Sequence, residues 1–128
     1  MSATGLALAV KTKSIFQPPE DEDGVRILIT RFYPRGVERT RFDEWALSLS
    51  PSSELLFSYK RGSRNWSSFK RNFMAELRSN VESVEAILTL NEVGRKKDIT
   101  LLCYEQSGIP CHRHIVRDII ETPALLEP

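Results

Sequence analysis

Cysteine is scarce in this sequence, and long apolar runs are missing. Two cysteines among 128 residues cannot make the disulfide framework that holds small secreted domains together, so two thiols in a reducing compartment are expected. The stretch GLALAV near the start is only six residues long, has no basic region before it and is followed by lysines. It therefore fails as a signal peptide or a membrane span, and a cytoplasmic protein with no membrane partner is expected. An excess of charge of either sign is missing as well. Eighteen basic residues against seventeen acidic ones leave a formal charge of +1, which argues against avid, non-specific nucleic-acid binding and requires any such affinity to come from clustering.

Several reaction motifs are also absent. There is no glycine-rich phosphate loop, no HExxH and no GxSxG, and no cofactor is expected. A cysteine-phosphatase loop needs an arginine six residues after its cysteine, whereas the sixth residue after Cys103 is Ile109. Cys103, Cys111 and His112 offer soft metal ligands, with Glu105 as a fourth. Adjacent Cys-His and a seven-residue gap do not match the usual zinc spacings, however, so no metal is expected either.

What is present suits one domain with a single core: 41% of residues are hydrophobic and 27% charged. The expected division is an N-terminal segment over 1–9, an α/β domain over 10–122 and a C-terminal tail over 123–128. Charges cluster locally. An acidic run from Glu20 to Asp23 precedes Arg26, Arg31, Arg35, Arg39 and Arg41, and a second basic group holds Lys60, Arg61, Arg64, Lys70 and Arg71. The default reading of such runs is a solvated face.

The hydrophobic pattern alternates between periods of two and 3.6. AVKTKSIF reads as a strand and QPPEDEDG as an exposed turn, while the more continuously apolar VRILITRFY, residues 25–33, reads as a central strand. Phe42, Trp45, Ala46 and Leu49 are spaced as one face of a helix that Thr40 would cap. A second helix starts near Pro51 and Glu54. Trp66, Phe69, Phe73 and Leu77 make a third stripe, read as core before base-stacking platform, and Val84, Ile87 and Leu88 a fourth that Gly94 ends. A strand over 98–104 and a helix over 110–121 close the chain. The expected fold is thus a single compact α/β domain, a small sheet flanked by helices, with its site at the strand carboxyl ends.

That location falls in ITLLCYEQSGIPCHRHIV, residues 99–116. Cys103 ends a strand, Cys111 lies in the first turn of the next helix, and His112 shares an apolar face with Ile115, Val116 and Ile119. In open α/β sheets ligands bind outside the strand carboxyl ends, and a helix N-terminus favours negative charge, whether thiolate or phosphate. Cys111 is the better placed for a lowered thiol pKa.

DGVRILITRFYPRG (residues 23–36), DEWALSLSPSSEL (43–55) and the set Trp66, Phe69, Phe73, Glu76 and Leu77 together resemble the domain-of-unknown-function 488 family, in its YeaO-like branch. The closing LLCYE and CHR resemble the wider family's ending. The resemblance implies a compact α/β domain and supplies no reaction, substrate or cofactor. The chain departs from the branch at Thr30, where an aspartate is usual, at Tyr33, where a tryptophan is usual, and over residues 111–113, where a His-Asn type of ending is usual.

Three readings stay open. In the first, Arg31, Arg35 and Arg113 converge beside Cys103, Glu105, Cys111 and His112 to hold a phosphate or carboxylate, with Tyr33 stacking on a nucleotide or the end of a nucleic acid and Tyr59 and Trp66 extending the track. In the second, a cysteine acts as nucleophile or the two form a redox pair, with His112 or Glu105 managing protons and Arg113 holding the substrate's anionic group. Cys103 is the easier partner for His112, because adjacent helical residues point about 100° apart. The third is a structural turn with satisfied side chains.

Overall fold

The computed structural model describes residues 8–104 and 111–127. The chain forms β1 (Val10–Ser14), β2 (Val25–Leu28), β3 (Glu44–Trp45), α1 (Ser53–Lys60), α2 (Trp66–Ser79), α3 (Val81–Gly94), β4 (Ile99–Cys103) and α4 (His112–Glu121), with short 3-10 turns between them. The four strands lie in the order β1-β4-β2-β3, and every neighbouring pair is parallel. This is the α/β domain with a small sheet that the pattern implies.

β4 is the last strand in sequence and an inner strand in space. All five of its residues are buried, which is why ITLLC is apolar on both faces rather than alternating. Ile99 and Leu101 join Ile27 and Ile29 in a core built with Phe69, Phe73, Leu77 and Ile87 of the middle helices and Ile115, Val116, Ile119 and Ile120 of α4. Leu28 and Leu102 point the other way, into a smaller cluster with Ile15 and Phe42 that loops close over. The last 3-10 turn, Pro123–Leu126, packs on the helical side and buries Leu126.

The helices start where side-chain acceptors cap them: Ser52 takes the Leu55 amide, Asn65 that of Ser68 and Asn80 that of Glu82, satisfying donors that no earlier turn can reach. α2 matches its stripe, with Phe69, Phe73 and Leu77 buried. In α3, Leu88 is exposed although Ile87 is buried.

Two expectations fail. The spacing of Phe42, Trp45, Ala46 and Leu49 builds no α-helix; 3-10 turns flank the short strand β3 there. The edge of β2 takes the backbone bonds a helix would need: the Asp43 amide donates to the Arg26 carbonyl (2.7 Å) and the Ala46 amide to that of Leu28 (2.8 Å). The acidic run is likewise not wholly a solvated face, because Asp23 is buried. Lys13 Nζ donates to both of its carboxylate oxygens (3.1 and 3.0 Å), Arg26 Nη1 to one (2.5 Å) and the Glu20 amide to the same one (3.0 Å). Burial alone would raise the Asp23 pKa, but these donors outweigh it and hold the carboxyl below its ordinary value. Gly24 follows with φ +64°. A Cβ there would stand 2.1 Å from the Asp98 carbonyl oxygen, the group that accepts the Val25 amide as β2 enters the sheet.

Asp23→Asn leaves Lys13 and Arg26 facing a neutral group in a buried place. It is expected to cost about 3 kcal/mol, read as a lower urea midpoint with an unchanged slope; a loss under about 1 kcal/mol would mean that solvent already screens the cluster.

Candidate functional site

The strand carboxyl ends converge on one corner. Cys103 is the final residue of β4, and Cys111 is the N-cap of α4. Their sulfurs are joined, 2.19 Å apart, with the Cα atoms separated by 7.6 Å. The two cysteines, expected from composition as separate thiols, are thus brought together at this corner. Strand end and helix start point their side chains at one another across the turn, a proximity that spacing alone does not reveal.

His112 follows as the first helical residue. Cys111 has extended backbone angles (φ −150°, ψ 147°), so the 100° rotation between successive helical residues does not apply to this pair. Cys111 Sγ lies 3.7 Å from His112 Nδ1, and the sulfurs of both cysteines lie within 4.8 Å of an imidazole nitrogen. The other ring nitrogen, Nε2, lies 2.5 Å from the carbonyl oxygen of Ile29. A carbonyl only accepts, so Nε2 carries the proton and Nδ1 presents its lone pair to the sulfur. The edge of Phe73 packs against the ring at 5.7 Å between centroids. Burial pushes the His112 pKa down to about 4; the Ile29 bond opposes this, and the charges of Arg113, His114 and Lys60 add to it.

Arg113 is 1% exposed, and its Nη1 donates to Cys103 Sγ at 2.9 Å. A buried guanidinium at that distance favours the thiolate over the thiol. Cys103, Cys111, His112 and Arg113 therefore form one buried cluster. Glu105 lies outside the described residues.

Beside the cluster, a cavity of about 240 Å³ opens at the sheet's edge, with His112 in its wall together with Thr30, Arg31, Lys60 and Tyr104. Phe32 and Phe57 also line it, their rings stacked at 5.9 Å and both about half exposed. Arg31 is held there by its Nε, which donates to the Pro51 carbonyl (2.8 Å). The other expected arginines and the tyrosine do not share this lining. Arg35 is exposed in the loop after β2. Tyr33 packs against Phe42 and Trp45, donates its hydroxyl to the Val37 carbonyl and carries the Arg39 guanidinium over its ring. Tyr59 and Trp66 pack with Phe69. The aromatic rings at the cavity are instead Phe32, Phe57 and Tyr104, which sequence reasoning missed. For Phe32 a signal was available, because it lies near the carboxyl end of the stretch, residues 25–33, that reads as a central strand.

Among the described residues no helix is long and apolar enough to cross a membrane. A family model described as the active DUF488-N3 subclade matches residues 10–124. The Escherichia coli K12 protein YeaO is 28% identical over 111 residues, an alignment that covers 85% of this chain and 94% of that protein. No solved structure matches.

The buried, neutral His112 makes stability depend on pH. Its unfolded pKa is near 6.5 and its folded value about 4, so its contribution is complete above pH 6.5 and is lost as pH falls towards 4, where the unfolded state binds the proton first. A loss on the order of 3 kcal/mol is expected across that window. His112→Gln, which can still donate to Ile29, should flatten the curve. Parallel urea midpoints for the two proteins from pH 7 to 4.5 would show that the histidine titrates normally.

Proposed function

This chain belongs to the DUF488-N3 family, in the subclade described as active, and we propose that it is a cysteine-dependent enzyme whose reactive group is the Cys103–Cys111 redox pair. One observation carries the reading: the two sulfurs meet between a guanidinium, 2.9 Å from Cys103 Sγ, and the unprotonated nitrogen of an imidazole, 3.7 Å from Cys111 Sγ.

The chemistry is thiol–disulfide exchange with an external thiol. An incoming thiolate attacks Cys111 Sγ, a new sulfur–sulfur bond forms there, and the Cys103–Cys111 bond breaks. Cys103 leaves as a thiolate that Arg113 stabilises, which makes it the better leaving group of the two. A second external thiolate then attacks the external sulfur of the mixed disulfide. Cys111 leaves as a thiolate and takes up one of the protons that the external thiols gave up, and the resulting S–H can donate to His112 Nδ1. Two electrons have passed from two external thiols, now joined as a disulfide, to the protein pair. Run in reverse, the sequence reduces an external disulfide to two thiols and restores the Cys103–Cys111 bond.

A second reading, capture of a phosphate- or carboxylate-bearing ligand such as a nucleotide or a nucleic-acid end, is favoured by Arg31 and Lys60 in the lining of the cavity that His112 shares. Arg35 and Tyr33 are not needed for it. ATP and a labelled oligonucleotide are its probes. Affinity that falls with salt and with Arg31→Ala, but survives Cys103→Ser, would favour binding without thiol chemistry.

The test of the redox reading is equilibration with glutathione buffers of graded ratio, with the thiols counted by mass after trapping. The pair should convert as a two-thiol unit, reversibly. Arg113→Lys keeps the charge and should stay close to wild type. Arg113→Ala should move the equilibrium about tenfold or more towards the disulfide, because the reduced form loses its stabilised thiolate. A pair that never reduces in the folded protein, or an Arg113→Ala equilibrium equal to that of wild type, would overturn the assignment.

A further inference from the structure

Once reduced, the same corner has a use beyond exchange. We infer that the dithiol form of the chain binds one soft monovalent metal ion, copper(I), through Cys103 Sγ, Cys111 Sγ and His112 Nδ1.

Three features of the geometry point there. The ligand atoms of Cys103, Cys111 and His112 all lie within 4.8 Å of one another, and all three residues are buried. The histidine is oriented as metal-bound imidazoles are, with its far nitrogen fixed on a backbone carbonyl, here Ile29 at 2.5 Å, and its near nitrogen turned towards the sulfurs. The two cysteines stand 7.6 Å apart at Cα, wider than the roughly 4.4–6.8 Å at which disulfides are ordinarily made. Two metal–sulfur bonds of about 2.3 Å each span more than one sulfur–sulfur bond of about 2.05 Å, so that width suits an ion between the sulfurs.

The choice of ion follows from the softness and the number of the donors. Two thiolates select copper(I), zinc or iron–sulfur chemistry. The described residues supply three donors, a set that copper(I) accepts as complete trigonal coordination, whereas tetrahedral zinc on three protein donors needs a fourth ligand from outside. The spacing of the cysteines excludes the familiar zinc motifs and leaves this arrangement open. With Cys103 already a thiolate beside Arg113, binding releases the Cys111 thiol proton and changes no oxidation state. The disulfide form has no thiolate to offer, so an external thiol must first reduce it, becoming a disulfide itself.

The experiment is an anaerobic titration of the phosphine-reduced full chain with copper(I) against bicinchoninate, followed by thiolate-to-copper absorption in the ultraviolet. One equivalent should bind. Cys103→Ser and Cys111→Ser should each lose the competition, and His112→Gln should weaken it by about tenfold or more. Folding of each variant is checked by circular dichroism. Should the serine variants unfold, the oxidised wild-type chain is the folded control and must not compete. Equal competition by reduced and oxidised chains would overturn the inference, as would zinc(II) held in preference to copper(I). A chain that takes copper but exchanges no disulfide would refute the redox function and leave this site standing.

Discussion

The pairing of β4 between β1 and β2 is the constraint on which the rest of the structure depends. An inner strand of a parallel sheet gives its backbone donors and acceptors to neighbours on both sides and is buried on both faces. Here that strand is the fourth in sequence, so the sheet is complete only after all three middle helices have been made. Its register places Cys103 level with Ser14 of β1 and Leu102 level with Leu28 of β2. The carboxyl ends of three strands thus stop in one plane, and α4 begins beside them. The site's surroundings are a consequence of sheet order, since the carbonyl that meets His112 and the wall of the cavity beside it come from the end of β2, far in sequence from residues 103–113.

α4 is tied to that plane by polar contacts at its first turn and by apolar packing along its length. His112 reaches back to the carbonyl of Ile29, one residue beyond β2, and Arg113 reaches Cys103 at the end of β4. These contacts fix the helix against two different strands, so the positions of its N-cap sulfur and imidazole are set by the sheet rather than by the loop before them. Thr30, Arg31 and Phe32 continue from the same strand end into the cavity wall. The buried cluster and the cavity therefore share a support, and displacement of the β2 end would disturb both.

Much of the fold was legible from periodicity. β1, α2, β4 and α4 lie where alternation or a 3.6 period puts them, because in each the buried face is determined by one neighbour or by complete burial. Residues 42–49 were misread because their i, i+3, i+4, i+7 spacing is also compatible with a short edge strand between turns; the carbonyls of Arg26 and Leu28, distant in sequence, settle the matter. Of the site, Cys103, Cys111, His112 and Arg113 were legible as a group because all sit within eleven positions around one strand-to-helix join. The arginines of the first basic stretch were not separable by sequence: Arg31 faces the cavity, Arg26 the buried Asp23 and Arg39 the ring of Tyr33. Alternation along an extended chain sends successive residues to opposite faces, and the counterparts that receive them come from elsewhere in the fold.

The electrostatics of the corner give the sulfur pair a direction. A buried guanidinium interacts more favourably with a thiolate than with a neutral disulfide sulfur, because charge–charge attraction is weakly screened where water is excluded. Arg113 at 2.9 Å from Cys103 thus lowers the free energy of the reduced state relative to the oxidised one. A protonated imidazole would do the same for Cys111, but burial keeps His112 neutral over the physiological range. The asymmetry follows: one sulfur is matched to a permanent cation and the other to a lone pair that can accept its proton. In the proposed exchange Cys103 is the leaving sulfur and Cys111 the one that takes up a proton. The polarity is built from the identity of two consecutive residues, His112 and Arg113, at the start of one helix.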